Sequence, residues 1–82
     1  MINPRNIIAK ILMVKPDSIT LESDYTSVAS WDSLTQINII FKLEEETQKR
    51  FTPKEISEMT SVRGILKALT NNGIEWEGFE EI

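Results

Sequence analysis

The segment with the clearest chemical potential is Asp32-Ser33-Leu34, where a polar, turn-rich stretch gives way to a helical pattern. Asp32 is a favourable N-cap and Ser33 is the first helical residue, so the serine hydroxyl is expected at a helix N-terminus. The N–H groups at such an end have no partner inside the helix and favour negative charge. An Asp-Ser pair before a helix is most often an ordinary cap, so the tripeptide alone is a weak indication of function.

The other reactive residues form no recognisable catalytic set. The 82 residues include no Cys and no His, which excludes disulfides, thiolate or imidazole metal ligands, and Ser-His or Cys-His relays. Asp, Glu, Lys and Tyr25 remain as acid–base candidates, and none forms a recognisable pair. Adjacent glutamates at 44–46 diverge on a helix, so solvated charge explains them better than a metal site. We therefore expect a non-catalytic protein without a metal.

The negative charge is concentrated in one part of the chain. Nine Lys and Arg against 13 Asp and Glu give a net charge of −4. Residues 17–46 hold seven acids and the single base Lys42, a net charge of −6. This pattern excludes nucleic-acid binding and predicts a basic protein as the partner near Ser33.

Four helices are predicted to position these residues, which makes the fold class all-α. Asn3-Pro4 begins the first helix, and Lys15-Pro16 ends it. Thr52-Pro53-Lys54-Glu55 is a capping box that opens a short helix to about Met59, and the last helix runs from a Thr60 or Ser61 cap to Asn71-Asn72-Gly73. The expected fold is a small four-helix bundle with three longer helices and one short one. Its apolar stripes are Ile7, Ile8, Ile11, Leu12 and Val14 in the first helix, and Val62, Ile65, Leu66 and Leu69 in the last.

A long loop at 16–31 separates the first two helices. Ordinary loops of this length are uncommon in compact domains. Apolar residues recur along it and are expected to hold it against the core as an ordered crossover: Ile19, Leu21, Tyr25, Val28 and Trp31.

The second helix, from the Asp32 cap to about Arg50, has two apolar faces. At about 100° per residue, Gln36, Ile39, Ile40 and Leu43 share the face expected in the core. Leu34, Ile37 and Phe41 lie almost opposite, beside Glu44 and Glu45, and are predicted to form a partly exposed docking surface. The alternative is that the short helix or the loop covers them.

We treat residues 1–82 as one domain, with the bundle at about 3–71 and an acidic, aromatic C-terminal tail at about 74–82. The tail, which includes Trp76, Phe79, Glu80 and Glu81, is expected to dock on the bundle, to be mobile or to contact a partner. No apolar run approaches the roughly 20 residues of a membrane span, and the first residues lack the pattern of a secretory signal. A cytoplasmic location is the resulting expectation.

Taken together, the motifs resemble those of the acyl carrier protein family over residues from about 3 to 70. The resemblance rests on a long loop before the site and on the following segments: Trp31-Asp32-Ser33-Leu34, Ile37, Phe41, Leu43, Glu44-Glu45-Glu46, Phe51-Thr52-Pro53-Lys54-Glu55-Ile56 and Met59-Thr60-Ser61-Val62.

The resemblance implies that Ser33 is the attachment point for 4′-phosphopantetheine, with Asp32 and Leu34 as the flanking motif. A separate phosphopantetheinyl transferase would transfer the group from coenzyme A. The free N–H groups and the dipole of the helix would favour the new phosphodiester. The arm would carry acyl or aminoacyl groups as thioesters, and in this family acyl chains can retreat between the helices.

The partners implied are this transferase and acyl- or aminoacyl-loading and transferring enzymes with basic patches. They would contact Ile37, Phe41, Glu44 and Glu45, and a monomer is expected. Ser30-Trp31, Thr35, Asn38 and Lys42 depart from many fatty-acid carriers. A dedicated polyketide, aminoacyl or surface-polysaccharide pathway therefore fits at least as well as fatty acid synthesis. The alternative function is an acidic helical adaptor without a prosthetic group.

Overall fold

The computed structural model describes residues 1–79 of the chain, and four α-helices and one 3₁₀ turn account for its regular structure. Over those residues there is no β-strand, only two isolated β-bridges. The all-α class, with three longer helices and one short one, is therefore confirmed. The helices are α1 (Pro4–Leu12), α2 (Ser33–Thr47), α3 (Pro53–Glu58) and α4 (Val62–Asn71), and the 3₁₀ turn is Pro16–Ser18.

All four predicted helix starts are confirmed by their caps. The side chains of Asn3, Asp32, Thr52 and Ser61 each accept a hydrogen bond from a backbone N–H in the first turn of the helix that follows. These bonds satisfy donors that have no partner inside the helix. Because each cap depends only on nearby residues, the sequence pattern was sufficient to place it.

The predicted ends of the first two helices are wrong by about three residues. α1 stops at Leu12 because Met13 adopts a left-handed conformation with φ 60°, and the Val14 N–H then donates to Ala9 O at 3.0 Å. α2 stops at Thr47 because Gln48 adopts φ 57°. Left-handed residues at this position end helices efficiently, but they are usually glycines, so neither end carries a local signal.

The core lies where α1, α2 and α4 meet, and the predicted core face of α2 is confirmed. Ile39, Ile40 and Leu43 are buried, and Gln36 is half-buried beside them. The predicted stripes of the first and last helices also pack against the core, although Val14 lies beyond the end of α1. The largest fully buried hydrophobic side chains of the core are Ile8, Leu12, Ile19, Ile39, Leu43, Met59, Val62, Ile65 and Leu69.

The long loop is an ordered crossover, as predicted. Ile19 and Trp31 are buried, and Leu21 and Val28 pack against the core. The prediction for Tyr25 is wrong, because its side chain is 60% exposed. The loop is held by backbone bonds at its middle, where the Val62 N–H donates to Ser23 O at 3.0 Å. Backbone polar groups of the loop thus find hydrogen-bond partners outside helices and strands. Sequence periodicity does not reveal such bonds.

The chain after α4 docks on the bundle. Ile2 and Trp76 form a parallel β-bridge, and the Glu77 N–H donates to Ile2 O at 3.0 Å. Phe79 is buried, with the Arg5 guanidinium 4.5 Å from its ring centre. Of the three expectations for the tail, docking is the one observed up to residue 79, and Glu80 and Glu81 lie outside the described residues. Residues 1–79 include no helix long and apolar enough to cross a membrane.

Candidate functional site

Ser33 is the first residue of α2, and Asp32 carries out the capping beside it. Asp32 Oδ1 accepts hydrogen bonds from the backbone N–H groups of Leu34, at 3.0 Å, and Thr35, at 2.9 Å. The Thr35 hydroxyl in turn accepts from the Asp32 N–H at 2.9 Å, which completes a capping box. Asp32 and Thr35 therefore account for the N-cap of α2 without any contribution from the Ser33 side chain.

The Ser33 side chain is exposed, and its hydroxyl makes no hydrogen bond within residues 1–79. The Ser33 hydroxyl therefore contributes no hydrogen bond to the fold, although the surrounding backbone fixes the position of the residue. The Thr35 hydroxyl also donates a hydrogen bond to Ser30 O at 2.8 Å. It therefore joins the end of the loop to the start of α2. Thr35 thus helps to fix the backbone around Ser33.

The N–H groups at the start of α2 are less free than the sequence suggested. Leu34 and Thr35 donate to Asp32, and Gln36 donates to Asp32 O at 2.8 Å. The hydrogen bond from the Thr35 N–H, with further bonds from the Thr35 hydroxyl and the Leu34 N–H, lowers the pKa of Asp32 below its ordinary value. Asp32 is therefore ionised at neutral pH. The helix end offers a fixed hydroxyl rather than a preformed anion site.

An open pocket of about 420 Å³ adjoins Ser33. The sequence did not reveal it, because its walls come from the loop, α2 and the segment from α3 to α4. We call it the Ser33 pocket, and its lining residues are Tyr25, Trp31, Asp32, Ser33, Gln36, Ser57 and Thr60. Every one of them carries a group that can form a hydrogen bond.

The second apolar face of α2 is exposed, as predicted. Leu34 is 67% exposed, Ile37 49% and Phe41 64%. The alternative that the loop or α3 covers these residues is wrong for the described part of the chain. We call Leu34, Ile37 and Phe41 the α2 stripe. Large apolar side chains grouped on one exposed helix face are typical of a surface that meets a partner.

The two glutamates beside the α2 stripe have different environments. Glu45 is exposed and pairs with Lys42 at 3.1 Å. Glu44 is half-buried, and its Oε2 accepts a hydrogen bond from the Phe51 N–H at 2.8 Å. Glu44 therefore stabilises the chain reversal after α2, a role that the sequence analysis missed. Of the two, Glu45 is the carboxylate with the more accessible charge.

The comparisons with known proteins agree with this geometry. The family model described as "Phosphopantetheine attachment site" matches residues 5–69, which include the loop, α2, α3 and most of α1 and α4. The chain belongs to the acyl carrier protein family. A curated relative named "Acyl carrier protein", from Phaeodactylum tricornutum (strain CCAP 1055/1), is 26% identical over 68 residues. The aligned part covers 83% of this chain and 90% of the relative.

Acyl carrier proteins are non-catalytic carriers, and their prosthetic group is 4′-phosphopantetheine. Attachment needs a hydroxyl that another protein can reach and that the fold does not use. Ser33 meets both requirements, since its side chain is exposed and its oxygen has no partner within residues 1–79. Ser33 therefore fits the attachment of 4′-phosphopantetheine.

Proposed function

We propose that Ser33 is the attachment point for 4′-phosphopantetheine in this carrier. The observation that supports it best is the exposed hydroxyl without a hydrogen bond, held at a helix start whose cap is complete without it. Asp32 and Leu34 are its flanking motif. Asp32 orients Ser33 by capping α2, and Leu34 begins the α2 stripe next to the site.

Attachment requires activation from outside the chain. Ser33 Oγ forms an ester bond to the phosphorus of the 4′-phosphate of coenzyme A, and the pyrophosphate bond breaks with release of adenosine 3′,5′-bisphosphate. The serine proton must pass to a base of the phosphopantetheinyl transferase, since the chain has no His and Ser33 has no hydrogen-bonded base. When bound, the group supplies the thiol that carries acyl or aminoacyl groups, which this chain without cysteine lacks.

The partner surface consists of the α2 stripe with Glu44 and Glu45 at its edge. Exposed apolar side chains supply contact area, and carboxylates steer a basic partner toward it. The proposed partners are the transferase and the enzymes that load or remove the carried group in fatty acid, polyketide or other specialised biosynthesis. The monomeric state and the cytoplasmic location stay predictions.

Intact-mass measurement tests the attachment. The chain is incubated with coenzyme A and a broad-specificity phosphopantetheinyl transferase, and we expect it to gain the mass of one phosphopantetheine. Ser33→Ala should gain none, whereas Ser57→Ala, a matched change at another exposed serine of the Ser33 pocket, should gain the same mass as the native chain. No gain on the native chain, or a gain that survives Ser33→Ala, would support the adaptor alternative instead.

A further inference from the structure

The last carbonyl groups of α1 need hydrogen-bond partners from outside the helix. The helix ends at Leu12, a residue that is 1% exposed, so its carbonyl oxygen has little access to water. The Ser30 hydroxyl donates a hydrogen bond to this oxygen at 2.7 Å, although the two residues are 18 positions apart in the chain. Since a buried carbonyl without a partner is costly, this bond ties the far end of the loop to α1.

The backbone of Ser30 is in turn bonded to α2. Its carbonyl oxygen accepts a hydrogen bond from the Thr35 hydroxyl at 2.8 Å. The oxygen of that hydroxyl accepts a hydrogen bond from the Asp32 N–H at 2.9 Å, so the Thr35 hydroxyl acts as donor and acceptor at once. We call this series of bonds, from Leu12 O through Ser30 and Thr35 to Asp32, the Ser30–Thr35 link.

Ser33 follows directly after the link, and its backbone is held on both sides. The N–H groups of Asp32 and Leu34 are hydrogen-bonded, whereas the Ser33 hydroxyl has no partner within residues 1–79. The residue before the cap is fixed as well, since the Trp31 N–H donates to Val28 O at 2.9 Å and the Trp31 side chain is buried. The position of the serine is therefore set by groups other than its own hydroxyl.

A fixed backbone is important for a transfer between two proteins. The transferase must align the phosphorus of coenzyme A with one oxygen atom, and a displacement of about 1 Å can slow such a step by about 100-fold. Binding also costs less when the reacting segment is ordered beforehand. The Ser30–Thr35 link includes neither the reacting oxygen nor a side chain of the α2 stripe, so it bears on the position of Ser33 and not on the docking surface.

We propose that Ser30 and Thr35 are positioning residues for the modification of Ser33, because their link fixes the attachment serine relative to α1 before the transferase binds. This inference rests on the proposed attachment at Ser33. It predicts that loss of the link lowers the kcat of the transfer and leaves the KM for the carrier nearly unchanged, since KM reflects docking and kcat reflects the alignment of the reacting atoms.

Steady-state kinetics with coenzyme A and a broad-specificity phosphopantetheinyl transferase test the proposal. Thr35→Val keeps the branched shape of the side chain and removes its hydroxyl. We expect kcat to fall on the order of tenfold, with the KM for the carrier within about twofold of the native value. Thr35→Ser retains a hydroxyl that can donate and accept, and it should keep kcat within about twofold of the native value.

Thr47→Val is the matched control for a general loss of stability. Thr47 is half-buried in the same helix, and its hydroxyl donates to Leu43 O at 2.7 Å. It lies about 20 Å from Ser33 along the helix axis. This variant should keep the native kcat, and melting temperatures of all variants ensure that each is assayed in its folded state.

Ser30→Ala tests whether the two positioning residues act together. It removes the bond to Leu12 O and should also lower kcat. Because both residues act through one link, Ser30→Ala combined with Thr35→Val should cause a smaller loss than the product of the two single losses. A loss equal to that product would overturn the link.

Three other results would overturn the proposal: a native kcat for Thr35→Val, a change in KM alone, or an equal loss of kcat in Thr47→Val. If the native chain gains no phosphopantetheine, the proposed function fails and this inference fails with it. If the native chain and Thr35→Val are modified at the same rate on Ser33, only this inference fails.

Discussion

At the residue scale, the Gln36 side chain joins two separate parts of the chain through hydrogen bonds. Its amide satisfies both the Trp31 indole N–H and the Met59 carbonyl in a half-buried position. We expect Gln36→Ala to lower the free energy of unfolding by about 1–3 kcal/mol, because both groups lose their partner. Chemical denaturation followed by tryptophan fluorescence measures this. Asn38→Ala, an exposed change on the same helix, should have little effect, and equal losses for the two variants would contradict this role of the two Gln36 hydrogen bonds.

The lowered pKa values of two capping carboxylates, Asp32 and Glu55, predict how the stability of the fold depends on pH. A hydrogen bond from the Thr35 N–H lowers the pKa of Asp32, and one from the Thr52 N–H lowers the pKa of Glu55. Groups with a lowered folded-state pKa contribute stability that is complete above their ordinary values and is lost as the pH falls through the lowered ones. Unfolding free energy should therefore be flat near neutral pH, since there is no His, and should fall below about pH 4.5.

Denaturation at a series of pH values checks the expectation for these carboxylates. Asp32→Asn keeps a capping side chain but does not titrate, so it should make the acid decline shallower. An unchanged slope in this variant would show that the Asp32 cap makes no pH-dependent contribution.

Helix ends are the clearest case at the element scale where local pattern and final structure differ. Met13 ends α1 at φ 60°, and its side chain is 89% exposed. Glycine adopts this conformation without a Cβ penalty, so we expect Met13→Gly to raise the free energy of unfolding by about 0.5–1 kcal/mol. In contrast, Lys10→Gly, inside the same helix, should lower it by about 1 kcal/mol. Thermal unfolding of the two variants should thus show opposite shifts, and a loss for both would contradict the argument.

The α2 helix also carries a prediction about partners. Glu45→Lys reverses an accessible charge beside the α2 stripe and should slow modification of Ser33 by the transferase on the order of threefold to tenfold at low salt. The melting temperature should change by less than about 3 °C, because exposed substitutions have small effects on stability. The same charge reversal in the tail, Glu75→Lys, is the control. Equal slowing by both would indicate net charge rather than a docking surface.

The sequence was sufficient for every helix start and for the buried stripes, because caps and periodicity are local. It was insufficient where distant parts of the chain decide the outcome. Glu44 was assigned to the docking surface, yet it also binds the Phe51 N–H across the turn after α2. Tyr25 was assigned to the core, but the chain there bonds to Thr60 through its backbone and leaves the ring exposed. The Ser33 pocket, built by three separate segments, has no local signal.

At the scale of the whole molecule, the docked tail joins the two ends of the described chain. Phe79 is buried against the Arg5 guanidinium, and its ring meets that of Trp76 edge-on at 6.3 Å. We expect Phe79→Ala to lower the free energy of unfolding by about 3 kcal/mol, since a large aromatic ring leaves a cavity. Chemical denaturation measures the loss. Glu75→Ala, at an exposed tail position, should leave stability nearly unchanged, and a Phe79→Ala variant as stable as that control would contradict docking.

The bridge between Ile2 and Trp76 has a consequence for biosynthesis. This contact closes a loop that contains nearly the whole described chain, including all four helices. Its entropic cost is therefore small only after the helices have packed together. During translation, α1 is made before the tail and lacks its aromatic cover until residue 79 has been made. The described structure is therefore complete only after synthesis has passed residue 79, and a chain truncated before this residue keeps the start of α1 uncovered.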